Sequence, residues 1–106
     1  MTASELKTKL ALGVICEGSG DREVTCGYCG DLLSWVMGRA PADSVWITVM
    51  SNLNVIAVAS LADVACIILA EGAALDPDAQ TRAVTENMNV YTTTEDMFTI
   101  CRRIEL

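Results

Sequence analysis

The chain has 106 residues, 52% of them hydrophobic, which suits one domain with one buried core and is too apolar for a disordered segment. With 14 acidic side chains against 7 basic ones, the formal charge is -7, so no basic stripe exists to track nucleic-acid phosphates or anionic lipid. Histidine is absent, which removes the commonest general base, the Ser–His and Cys–His couples and every His-ligated metal site.

Met1 to Lys7 shows neither a basic n-region nor an apolar core, so the expectation is a cytoplasmic protein. Thr2 and Glu5 have capping-box spacing, with Leu6 and Leu10 one turn apart, and predict a helix over 3–10. Leu12 to Glu17 is a short apolar run that Gly18-Ser19-Gly20 stops, a first strand. Asp21 to Gly27 holds turn formers around Val24 and Thr25, a loop with a brief extended piece. Asp31 can begin the next helix, with Leu32, Leu33, Trp35, Val36 and Met37 as its buried side and Gly38 and Pro41 as its end.

Val45 to Met50 is β-branched and aromatic and predicts a second strand, after which Asn52 caps a helix over 53–61. Ala65 to Leu69 runs apolar without alternation, the mark of a strand covered on both faces. The wider stretch Leu53 to Leu69 is broken by Asn54, Ser60 and Asp63 and cannot span a bilayer. Asp76-Pro77 opens a helix to about residue 87, and Val90 to Thr93 is the last strand. Thr94-Glu95-Asp96 then starts a final helix with Met97, Ile100, Cys101 and Ile104 on its apolar side. Alternating strands and short-linked helices imply a single small three-layer α/β domain over 1–106, its mostly parallel sheet of about four strands covered by helices on both faces.

In such a sheet, ligands sit beyond the carboxyl ends of the strands. The loops there offer Ser51, Asn52, Thr92, Thr93 and Thr94 with backbone N–H groups, which suit a small anion or nucleotide; helix capping explains the same residues. Gly18-Ser19-Gly20 is neither a Walker A nor a dinucleotide fingerprint. Arg22 could clamp a phosphate or carboxylate, or pair with Asp21, Glu23 or a partner subunit. Asp63 reads as a turn residue; Trp35 and Trp46 read as core, with one a possible interface anchor.

Of the five cysteines, Cys16, Cys66 and Cys101 lie in apolar runs and behave as small hydrophobes. Cys26-Gly27-Tyr28-Cys29 is the sharpest chemical feature. It reads either as small residues at a tight turn or as a thiol-redox pair or half of a metal site, with Cys16 a third ligand.

The run Asp21-Arg22-Glu23-Val24-Thr25-Cys26-Gly27-Tyr28, followed by Gly30 to Gly38, resembles the DRTGG domain family. Leu61 to Ile68 and Val90 to Thr93 fit as well, so the resemblance covers nearly the whole chain. It is most similar to free-standing members found near iron-hydrogenase genes in anaerobic bacteria. Asp21, Arg22, Thr25 and Gly27 match the motif, and Cys26 stands where the family has its first glycine. The resemblance implies a dimerising or ligand-sensing accessory module without catalytic residues, with a hydrogenase-related enzyme as a possible partner.

The reading is therefore a non-enzymatic homodimeric regulatory module with no cofactor. Its expected ligand contacts are Asp21, Arg22, Thr25, Gly27, Gly30, Asp31, Ser51, Asn52, Thr92 and Thr93. The alternative is a thiol-redox or metal-handling accessory of an anaerobic metalloenzyme that uses Cys26 and Cys29.

Overall fold

Thr2 and Glu5 close the capping box of helix α1 (Ala3–Leu10): the Thr2 hydroxyl accepts the Glu5 N–H and the Glu5 carboxylate accepts the Thr2 N–H, both at 3.1 Å. The computed structural model describes residues 1–106. After α1 come strand β1 (Gly13–Cys16), strand β2 (Cys26–Cys29), helix α2 (Leu33–Arg39) and strand β3 (Ser44–Thr48). Helix α3 (Leu53–Ala62), strand β4 (Cys66–Leu69), helix α4 (Pro77–Thr85), strand β5 (Val90–Thr92) and helix α5 (Met97–Arg103) complete the chain.

The sheet has five strands in the order β1-β5-β4-β3-β2, with β2 to β5 parallel and β1 antiparallel to β5. Successive side chains of a strand point to opposite faces, and the core divides accordingly. Val45, Ile47, Cys66, Ile68 and Tyr91 meet Leu6 and Leu10 of α1 and Ile100 of α5 on one face. Trp46, Ile67, Leu69 and Val90 meet Val36 of α2, Val55, Ile56 and Ala59 of α3, and Ala79 and Ala83 of α4 on the other. This is the expected three-layer α/β domain. None of its helices is long and apolar enough to cross a membrane.

One strand more than expected is present. The segment Asp21 to Gly27, read as a loop with a brief extended piece, runs into β2, whose Cys26, Gly27, Tyr28 and Cys29 pair with Ser44 to Ile47 of β3. Its residue types carry little strand preference, so cross-strand pairing rather than propensity makes it a strand. Asp31 does not cap α2 either. The cap position is Leu32, without a side-chain bond, while the Asp31 carboxylate accepts the Thr48 hydroxyl at 2.6 Å and the Val49 N–H at 3.1 Å. The unpaired donors at the end of β3 outcompete those of the short helix. Of the side chains expected to be buried on α2, only Val36 is fully so, and Leu32, Trp35 and Met37 stand half-exposed.

Candidate functional site

Three helix-to-strand connections converge beneath the amino ends of the parallel strands, and each contains one residue in the left-handed region. These are Asp43 before β3 (φ 63°), Asp63 before β4 (φ 58°) and Asn87 before β5 (φ 58°). Asp and Asn tolerate this conformation better than other residues with a Cβ, so the chain turns there without glycine. The turns also place two carboxylates and an amide side by side.

Arg22 enters this ring from the segment before β2. Its guanidinium donates to Asp43 Oδ1 at 3.0 Å, to Asp63 Oδ1 at 2.9 Å and to the Asp63 carbonyl at 2.6 Å. Partial burial opposes the Arg22 charge, and the two carboxylates outweigh it, so the pKa is raised above an ordinary arginine's. Of the two uses weighed for Arg22, the structure shows pairing. Its partners are Asp43 and Asp63, not the adjacent Asp21 and Glu23, because the strand ends bring distant turns closer than the chain brings its own neighbours.

Next to Arg22 lies a polar pocket of about 200 Å³ between the ends of α3 and α4 and the starts of β4 and β5. Arg22 itself, with Ser19, Ser60, Asp63, Glu86, Asn87 and Asn89, supplies its polar lining. Asn89 is buried and fixes one wall: its amide donates to the Ser19 carbonyl at 2.8 Å and to the Ala65 carbonyl at 3.0 Å, and its oxygen accepts the Ser19 N–H at 3.1 Å. Asn87 donates to the Ser19 hydroxyl at 2.9 Å. The carbonyl-rich ends of two helices, with Asp63 and Glu86, line the pocket with hydrogen-bond acceptors, while the Arg22 guanidinium beside them is already paired with Asp43 and Asp63. The pocket favours groups that donate hydrogen bonds and disfavours a bare phosphate. Sequence reading missed Ser19, Asp43, Ser60, Glu86, Asn87 and Asn89; the one available signal was an Asp or Asn between each helix and the next strand.

The remaining expected contacts do not join this site. Asp21 and Thr25 lie exposed on the same lower side, flanking Arg22 in the chain. Gly27 is in mid-strand, where an added Cβ would meet Val45 at an ordinary 3.5 Å, and neither it nor Cys26 has positive φ. Gly30, Asp31, Ser51, Asn52, Thr92 and Thr93 lie at the opposite, carboxyl ends. There Asn52 caps α3 through the Asn54 N–H at 3.0 Å. Ser51 reaches Asp76 at 3.5 Å, Thr92 donates to the Ala73 carbonyl at 3.2 Å, and Thr93 accepts the Glu95 N–H at 3.2 Å. Thr92, Thr93 and Thr94 also edge a shallow groove with Arg103, which is paired to Glu95.

The Cys26/Cys29 pair is corrected by strand geometry. Three residues apart on β2, the two thiols project from opposite faces of the sheet, with Cα atoms about 10 Å apart, beyond the reach of a disulfide or a shared metal. Cys26 donates to the Ala42 carbonyl at 3.6 Å, whereas Cys29 faces α5. No cluster of three or more Cys, Asp or Glu side chains has the arrangement of a metal site.

No protein-family profile and no curated protein sequence matches the chain. Among solved structures it is similar to the CBS and DRTGG domains of the regulatory region of Clostridium perfringens pyrophosphatase, crystallised with its activator diadenosine tetraphosphate. The TM-score is 0.72 at 14% identity, over 95% of this chain and 44% of that one. The chain thus spans under half the length of that region, and it has a DRTGG-like fold.

Proposed function

We propose that this DRTGG-like domain is a non-catalytic regulatory module that senses a nucleotide-like ligand in the polar pocket beside Arg22. The observation that carries the reading is that pocket, walled by Ser19, Asn87 and Asn89, on a fold shared with a regulatory region bound to an adenine dinucleotide. The lining chemistry selects the end of the ligand that enters. Carboxylates, amide oxygens and helix carbonyl ends recognise the donor edge of a base, and the phosphates stay outside toward solvent. The chain has no histidine, and the charged lining residues are held in ion pairs, Asp63 with Arg22 and Glu86 with Arg82, which supports binding rather than catalysis there.

Leu32, Trp35 and Met37 give α2 an exposed apolar face beside the free edge of β2, which supports assembly with a second copy or with a partner enzyme. The test of the reading is a melting experiment with adenosine and diadenosine tetraphosphate. Both raise Tm in the wild type, and Ser60→Trp, which fills the pocket from the exposed surface of α3, removes the shift. A wild-type Tm indifferent to both compounds, or a shift that survives Ser60→Trp, sinks it.

A further inference from the structure

The parity of β2 separates Cys29 from Cys26 and gives it a different neighbour. Cys29 pairs in register with Ile47, and both lie on the face covered by α1 and α5. Cys101, on α5, packs against the same core. Cys29 and Cys101 line one open apolar groove of about 420 Å³, floored by Gly27, Val45 and Ile47 and walled by Ile104. Gly27 carries no side chain toward α5, and that leaves the space above β2 unfilled.

We propose that Cys29 and Cys101 are a redox-responsive thiol pair whose disulfide pins α5 to the edge strand β2. The oxidant is a small-molecule disulfide of the glutathione type. The Cys29 thiolate attacks it, its S–S bond breaks, and one thiol leaves with a proton from solvent. The Cys101 thiolate then attacks the Cys29 sulfur of the mixed disulfide and expels the second thiol. Two cysteines are oxidised and one disulfide is reduced to two thiols. Burial, the adjacent Cys101 thiol and Asp31 hold the Cys29 thiol up to about 11, so at neutral pH the exchange runs through a small thiolate fraction and is slow. The bond spans the groove and draws the segment ending in Ile104 and Leu106 onto β2.

The experiment is oxidation of the folded full chain with oxidised glutathione, read by intact mass and by mapping tryptic peptides in a Cys26→Ser background. The expected product is a monomeric chain lighter by two hydrogens, with the peptide holding Cys29 joined to the one holding Cys101, and a Tm several degrees above the reduced form. Cys101→Ser leaves a glutathione adduct or an unmodified chain in its place. An unreacted protein, a stable glutathione adduct without the internal bond, or a bond through Cys16 or Cys66 overturns the assignment.

Discussion

Arg22 grips Asp63 twice, at its carboxylate (2.9 Å) and at its backbone carbonyl (2.6 Å), and so ties the segment before β2 to the turn before β4 across 41 residues of sequence. Asp63 holds its left-handed turn partly so that both oxygens face the guanidinium. Its carbonyl also accepts the Asp43 N–H at 3.0 Å, so one backbone oxygen locks two turns together.

Replacing Arg22 with Ala therefore lowers stability by about 1–2 kcal/mol, at the low end for hydrogen bonds to charged groups because solvent screens the half-exposed carboxylates. Arg22→Lys recovers little of this, since an ammonium cannot span Asp43 and both Asp63 oxygens. Urea unfolding checks both variants; an Arg22→Ala chain as stable as the wild type disproves the role.

Gly18 bears directly on Asn87. A Cβ there would collide with both the side-chain oxygen and the carbonyl oxygen of Asn87, so Gly18→Ala must displace the pocket wall. The expected cost is about 2 kcal/mol. Gly13→Ala meets only a methyl of Thr92 at 2.8 Å and costs less. Thermal unfolding of the two variants side by side distinguishes them.

The element order was legible because its signals are local: the Thr2–Glu5 box, the Asn52 cap, Pro77 at a helix start and the uninterrupted apolar run of β4. Strand β2 was not, since its pairing with β3 is a tertiary fact that Cys-Gly-Tyr-Cys does not advertise. The site was half legible. Arg22 stands out in any reading of the loop, but its partners Asp43 and Asp63 and the amides of Asn87 and Asn89 are assembled only when the sheet brings three turns together. The same loss of long-range information left a Cys26/Cys29 pair open as an alternative to small residues at a tight turn.

Stability is expected to be flat across neutral pH and to fall at both extremes. The Thr2 backbone and side chain hold Glu5 below its ordinary 4.5, the Tyr91 hydroxyl (2.5 Å) and Lys7 do the same for Glu17, and the Thr99 N–H holds Asp96 below 3.8. Folded carboxylates with lowered pKa stabilise fully above the unfolded values, and that contribution is lost as pH falls through the folded ones. Burial pushes Cys66 up to about 12 and, with Cys101, Cys29 to about 11; burial and Glu17 raise Tyr91. The two thiols stabilise fully below their ordinary 9.0 and Tyr91 below its ordinary 10.0, and each contribution is lost as pH rises through the folded value. With no histidine to titrate between, denaturant midpoints measured against pH show a plateau. Tyr91→Phe lessens the acid fall and Cys66→Ala the alkaline one.

The two tryptophans part in their consequences. Trp46 is fully buried and donates to the Gly30 carbonyl at 2.9 Å, so Trp46→Phe opens a void and orphans an acceptor, at about 2 kcal/mol or more. Trp35 is 51% exposed under the Arg39 guanidinium, and Trp35→Ala changes the stability of the isolated chain by less than about 0.5 kcal/mol. If α2 forms the assembly face, light scattering shows a dimer for the wild type and a monomer for Trp35→Ala.

The most direct measurement is a titration of isotope-labelled protein with adenosine and with diadenosine tetraphosphate, followed by amide chemical shifts. Binding beside Arg22 requires the perturbed amides to cluster at Ser19, Arg22, Asn87 and Asn89, with those of Asp31, Asn52 and Thr93 unmoved. Shifts confined to the carboxyl ends of the strands, or none at saturating ligand, would contradict it.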